Sequence, residues 1–284
     1  MNIYNLNSIF GVIVIYNQSF SECETIISIC RALEKIDQYL NLYVYDNSPY
    51  PQFNDTYFTD LRFNITYVHN HNNPGISVAY ENARKIAERS GYKWILLLDQ
   101  DTKISLNFFE TIFDLNRSNN EYADIVCIIP KVLDIETGSI ISPCKMYTGG
   151  IVKPYEKQRE GIISDPITGI NSGTMLSLDF LNQLGGFNHN YPLDMLDHWC
   201  FREIHRAKKQ ILLLNVEIYQ NLSVNSFYRD VSIRRYESIL KGEDLFFEGF
   251  LERLIYKVRL VVRIFRHLFS RKFDYFKLAL KYFI

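Results

Sequence analysis

An α/β fold with a mostly parallel central sheet is predicted by three features of the sequence. Short apolar runs alternate with amphipathic helical stretches through the first half of the chain. The first of these runs, Ile9 to Ile15, is continuous and rich in β-branched residues, as strands buried on both faces are. Two of the runs end in an aspartate, Asp46 and Asp99, and the carboxyl ends of parallel strands are where open α/β sheets bind their ligands.

Taken in order, Ser21 to Tyr39 reads as a helix, and Leu42 to Tyr45 as a second strand closed by Asp46-Asn47-Ser48-Pro49. Asn64 to Val68 is a third strand. Pro74 and Gly75 open a helix that runs to about Arg89 and stops at Ser90-Gly91. Trp94 to Leu98 is a fourth strand leading into Asp99-Gln100-Asp101; another helix follows, then a strand from Asp124 to Ile129. Residues 131–168 are rich in turn formers and read as irregular strands and loops. Asn171-Ser172-Gly173 precedes a short strand and a helix ended by Gly185-Gly186; Asp197 to Lys208 reads as a helix and Ile211 to Val216 as the last strand. Helices between strands imply right-handed crossovers. Residues 1–235 form the main domain in this reading, and 236–284 an appended helical segment. On a wheel of 100° per residue, Phe250 to Phe269 separates Leu251, Leu254, Ile255, Val258, Val261, Val262, Phe265, Leu268 and Phe269 from Arg253, Lys257, Arg259, Arg263, Arg266 and His267, the pattern of a basic amphipathic helix.

Composition narrows the function classes. The chain has 284 residues, 47% of them hydrophobic, enough for a sizeable core, with 20 Tyr and 20 Phe. Net charge is −1, which argues against nucleic acid as a partner. Residues 249–284 carry nine Lys/Arg and two Asp/Glu, so a +7 tail follows a body with 22 basic and 30 acidic residues; an anionic surface is the partner this split suggests. The five cysteines (23, 30, 127, 144, 200) are scattered, without metal-site or disulfide spacing, and fit a reducing compartment. No basic region followed by a long apolar run opens the chain and no stretch of 18 uncharged apolar residues occurs, so neither a signal peptide nor a spanning helix is expected.

Four constellations carry chemistry. Asp99 and Asp101, one residue apart at the mouth of a buried strand, are costly neighbours unless a cation sits between them, and oxygen ligands suit Mg²⁺ or Mn²⁺. A solvated turn is the plainer alternative. Asp46 either accepts hydrogen bonds from a base or ribose, or closes its strand as an Asx-turn. Asn73-Pro74-Gly75 at a helix start offers close backbone approach and an anion-friendly terminus, or merely a cap. Asp194, Asp197, His198 and Trp199 cluster at another helix start, where an acid can act as general base for an acceptor hydroxyl or cap the helix. Asp194, His198 and His205 are rival candidates for that base.

In this order the segments YVYDNS, NNPGISVAYENA, WILLLDQDT, INSGTMLSLDFLNQLGGFN and PLDMLDHWCFR resemble the family 2 glycosyltransferases, which have the GT-A fold, over about residues 8–235. A strand running into DQD and then Ser or Thr resembles the rhamnosyltransferase-like subgroup most. The resemblance implies inversion at the transferred sugar. It implies donor contacts at Asp46, Asn73, Gly75, Asp99 and Gln100, a metal on Asp101 beside Asp99, an acceptor side at Asn171, Ser172, Gly173 and Trp199, and Asp197 as base with Asp194 as alternative. Three positions depart from the family: Ala83 stands where Gly is frequent, the Asp197–Arg202 spacing is one residue short, and no His follows the last strand, where Asn221 is a weak stand-in.

The function so implied is transfer of a sugar, rhamnose favoured, from a dTDP- or UDP-sugar to a lipid-linked oligosaccharide in bacterial O-antigen or capsule assembly. The work would be done at the cytoplasmic face of the inner membrane, with the tail on anionic headgroups. Two alternatives stand beside it. One is a sugar-phosphate nucleotidyltransferase, against which Tyr16-Asn17-Gln18-Ser19 lacks a basic Gly-rich loop; the other is a non-catalytic glycan-binding protein of the same fold.

Overall fold

The computed structural model describes residues 6–53, 62–115, 124–157, 160–220, 228 and 231–284. Its centre is a parallel ladder. Strand β1 (Ile9–Ile15) lies between β2 (Leu40–Asp46) and β4 (Trp94–Asp99), and β3 (Phe63–His69) pairs with the far side of β2. The order β3-β2-β1-β4 is that of one half of a doubly wound sheet. Helices α1 (Glu24–Lys35) and α2 (Ile76–Arg89) make crossovers. Ala79, Tyr80, Ala83 and Ala87 recur at helical spacing on the buried side of α2, and Gly91, with φ 79°, ends it.

Beyond β4 the sheet changes character. The short β11 (Met175–Ser177) pairs antiparallel with β4 and with β6 (Ile125–Asp134). β6 runs parallel to β12 (Gln210–Gln220), and β10 (Gly161–Ile163) closes that edge antiparallel. β5 (Thr102–Lys103) and β7 (Ile140–Ser142) add antiparallel pairs, while β8 (Cys144–Tyr147) and β9 (Ile151–Pro154) form a separate hairpin. The sheet is therefore mixed, where the sequence suggested a largely parallel one. The local cause is the turn at Asn171–Thr174: Gly173 N–H bonds Leu97 O and Leu97 N–H bonds Thr174 O, so the chain is laid against β4 in reverse.

Alternate residues of each strand feed two cores. Phe10 and Val12 join α2, α4 (Leu178–Gln183) and α5 (Leu196–Arg206) on one face; Ile9 and Ile13 join α1 and α3 (Phe108–Asp114) on the other. The C-terminal helices are α6 (Ile233–Phe246), α7 (Phe250–Phe269) and α8 (Phe273–Phe283). They share the first core through Tyr236, Leu240, Tyr256, Leu260, Ile264 and Ala279. The expected break at 235/236 thus falls inside α6, and the tail packs as part of the body. Glu243 accepts two bonds from Arg263, at 2.5 and 2.7 Å. Among the described residues no helix is long and apolar enough to cross a membrane.

Candidate functional site

Parallel register brings Asp46 and Asp99 to one sheet edge. Ile15 pairs with Asp46 and Val14 with Asp99, so β1 alone separates the two acids, about 10 Å of sheet. Their side chains serve differently. Asp46 is fully buried; Oδ1 accepts from Ser48 N (2.9 Å), and Oδ2 from Gln52 N (2.7 Å) and the Tyr67 hydroxyl (2.7 Å). That is the strand-closing turn, with its acceptors used by the protein itself.

The Asp99–Thr102 loop is clamped by α1 and the residue before it. Thr25 Oγ1 donates to Asp99 O (2.5 Å) and accepts from Thr102 N (2.9 Å), while Cys23 Sγ donates to Gln100 O (3.0 Å). Gln100 turns to the end of β1, where its Oε1 accepts from Tyr16 N at 2.8 Å. With residue 100 anchored backwards, Asp99 and Asp101 are joined through two neutral side chains. Ser172 Oγ donates to Asp99 Oδ2 (2.5 Å) and lies 2.7 Å from Gln220 Oε1, and Gln220 Nε2 donates to Asp101 Oδ1 (3.0 Å). Ser172 is fully buried, and Asn171 and the positive-φ Gly173 (φ 73°) shape its turn.

Asp194 and Asp197 approach the same place from the start of α5. Met195, in the left-handed region with φ 70°, occupies the cap position, so capping does not account for Asp197. Among the described residues, Asp197 accepts its neighbour's amide, His198 N, on Oδ1 at 2.7 Å and no other hydrogen bond. Gly75 (φ 99°) brings the start of α2 onto this loop: a Cβ there would run into Pro192 O, and Ser77 N bonds the same oxygen at 3.3 Å. The glycine is needed for close approach to protein backbone. Asn73 also has positive φ, 44°. Trp199 is buried in the core, so its ring packs against protein. His198 Nδ1 bonds Thr168 Oγ1 (2.5 Å); with His205, Arg202 and Phe246 it lines a cleft of about 340 Å³ whose lining includes none of the four acids.

The acids feel one another. Burial, reinforced by Asp101 and Asp197, pushes the Asp99 carboxyl up to about 6, while Ser172 and Gln220 pull it back. Burial likewise lifts Asp194 to about 6, against Arg235, with Asp197 adding to the rise. Asp101 is exposed as a residue, yet its carboxyl is crowded enough for desolvation to raise it too. Three contributors escaped the sequence reading, the first being Gln220, which bridges Ser172 and Asp101. Arg235, in the first turn of α6, lies 3.9 Å from Asp194 and also draws Asp101 down. A cation at a helix start opposes the helix dipole, and that was the one signal for it. The third is the fully buried Tyr80, whose hydroxyl is pushed up by burial, with the charges of Asp99 and Asp197 adding to the rise. Among the described residues the Tyr80 hydroxyl, Asp194 Oδ2 and Arg235 Nε have no hydrogen-bond partner.

Among the described residues no group of three His, Cys, Asp or Glu could hold a metal ion; a divalent cation here would have Asp101 and Asp99 as protein ligands and would need a bound ligand or water to complete its shell. Mg²⁺ and Mn²⁺ commonly sit on one or two carboxylates plus substrate phosphates and water. Asn221 lies outside the described residues.

Fold and site together define an α/β protein with a coupled acid cluster at the carboxyl edge of a parallel ladder. No protein-family model matches the chain, and no curated protein matches it in sequence.

Proposed function

We propose that the chain is an inverting, metal-dependent glycosyltransferase of GT-A type, moving a sugar from a dTDP- or UDP-sugar to a lipid-linked oligosaccharide at the cytoplasmic face of a bacterial inner membrane. The observation that carries the reading is the convergence of Asp99, Asp101, Asp194 and Asp197, with two of them pushed to about 6, at the ligand-binding edge of the sheet. Among the described residues Arg235 is the cation placed beside these four acids, which leaves the site short of positive charge.

Asp101 and Asp99 would hold Mn²⁺ or Mg²⁺, which supplies charge neutralisation for a departing diphosphate. Ser172 and Gln220 fix the orientation of both carboxylates. Asp197, whose Oδ1 accepts from His198 N, accepts the proton of the acceptor hydroxyl. That hydroxyl oxygen bonds to the anomeric carbon as the bond to the diphosphate oxygen breaks, and the electron pair leaves with the diphosphate. Asp194, held beside Arg235, keeps that guanidinium at the site's rim, where it can meet phosphate oxygens.

The test is release of nucleoside diphosphate from a panel of dTDP- and UDP-sugars. Slow hydrolysis that needs Mn²⁺ or Mg²⁺ and is lost in Asp101→Ala is expected. Asp197→Asn should lower transfer to acceptor by about 10²-fold or more while leaving donor binding in place. Metal-independent release, or unchanged release in Asp101→Ala, would overturn the assignment. Glycan binding without any turnover would favour the non-catalytic alternative.

A further inference from the structure

Helix α7 is amphipathic the wrong way round for a helix that only packs on its own domain. Leu251, Leu254, Val258, Val262, Phe265 and Phe269 are all exposed, along about 30 Å of helix. Phe250 is 85% exposed at one end, Phe269 is 81% exposed at the other, and Phe273 and Ile284 extend the apolar surface onto α8. The cations expected to face outwards are largely turned in. Arg263 is paired with Glu243, and Arg259 donates to Gly149 O. Lys257 donates to the carbonyls of Tyr282 and Phe283. His267 lies between the hydroxyls of Tyr236 and Tyr228, each at 2.9 Å. The buried Glu243 explains the inversion, since it requires a basic partner from α7.

We propose that this stripe is the face by which the protein lies on an anionic lipid surface. Exposed large apolar side chains in a continuous row of this length are rare on a free surface and mark an interaction site. The surrounding charge selects the partner. No Asp or Glu occurs from residue 253 to residue 273, while Arg266, Arg271 and Lys272 stay exposed at the end of the stripe. Apolar insertion with cations at headgroup level is the interfacial-helix arrangement. A second copy fits poorly. Parallel pairing of two stripes sets Arg266 against itself, and antiparallel pairing about the helix centre sets Arg266 beside Arg253. The inference stands on surface chemistry and does not depend on the donor reaction.

Truncating the tail would not test it, because Tyr256, Leu260 and Ile264 belong to the core. The full chain with Leu254→Gln, Val258→Gln and Phe265→Gln leaves the core residues Tyr256, Leu260 and Ile264 in place. In flotation with vesicles of equimolar phosphatidylglycerol and phosphatidylcholine, the wild-type chain should float, less so at high salt, and the triple variant should bind at least about tenfold more weakly. Arg266→Gln with Arg271→Gln and Lys272→Gln should remove the preference over phosphatidylcholine alone. Circular dichroism and donor hydrolysis without vesicles should be unchanged in both variants. Equal flotation of the triple variant, or no flotation of the wild type, overturns the proposal. A lipid-free dimer by sedimentation that the triple variant dissociates also overturns it, and gives the stripe to a second copy.

Discussion

Replacing Asp99 by Asn should make the metal-free protein more stable while removing its capacity to turn over donor. Folding raises this carboxyl from its ordinary 3.8 to about 6, mainly by burial. Between those values the folded chain holds more protons than the unfolded one, so stability falls as pH climbs through the window and the deficit is complete above pH 6. A shift of about two pKa units corresponds to about 3 kcal/mol, an upper value for a single carboxylate. Asn carries no charge to desolvate, and its amide oxygen still accepts from Ser172. The gain should therefore be about 1–3 kcal/mol at pH 7.5, or a few degrees in melting temperature, shrinking to nothing near pH 4. The assay is thermal unfolding of wild type and Asp99→Asn in chelator at both pH values, then with Mn²⁺, which should stabilise the wild type and not the variant. A variant less stable than wild type at pH 7.5 in chelator would refute the reasoning, because it would make Asp99 a structural acid whose charge the fold already satisfies.

Two further substitutions probe the scaffold. Gly75→Ala must hold φ near 99° and ψ near 173°, a region open essentially to glycine alone, with a methyl group against Pro192 O. A loss of about 2–3 kcal/mol by chemical denaturation is expected, together with weakened donor hydrolysis because α2 and the Asp194 loop separate; a neutral result would show that the contact is slack. Glu243→Ala strands the guanidinium of Arg263 and should destabilise by about 3–5 kcal/mol, whereas replacing both residues with Leu and Met should recover most of it. A loss under about 1 kcal/mol in the single variant would mean that the pair is solvated in solution.

The legible part of the fold was the part governed by local pattern. β1 and α2 lie where periodicity put them, and α7 spans Phe250–Phe269, the span placed on the wheel. Strand direction was not legible, because three residues such as Met175–Ser177 read the same up or down a sheet and only the Gly173 turn decides. β12 runs to Gln220, past the expected Val216, because Glu217 breaks the apolar run while facing outwards. At the site, the Asp99–Asp101 pair and the acids of the α5 start were visible as motifs. Gln220 and Arg235 were not, since each contributes through a contact 119 or 41 residues away from its acid in sequence. Nor could the sequence show that both oxygens of Asp46 are taken up by Ser48, Gln52 and Tyr67, or that Trp199 faces inwards.

Helix α6 is what makes the acid cluster and the apolar stripe parts of one device. Its first turn carries Arg235 against Asp194, and its third turn carries Glu243 against Arg263 of α7. Between them Tyr236 and Leu240 are buried in the core shared with β1 and α5. A charged contact at each end and apolar packing between leave the helix little freedom to slide, because either movement would strand a largely buried charge. The exposed apolar stripe and the carboxyl edge of the sheet therefore hold a fixed relation to each other. On the proposed function and the proposed lipid contact, such a strut would set the height at which Asp197 meets an acceptor hydroxyl anchored in the bilayer.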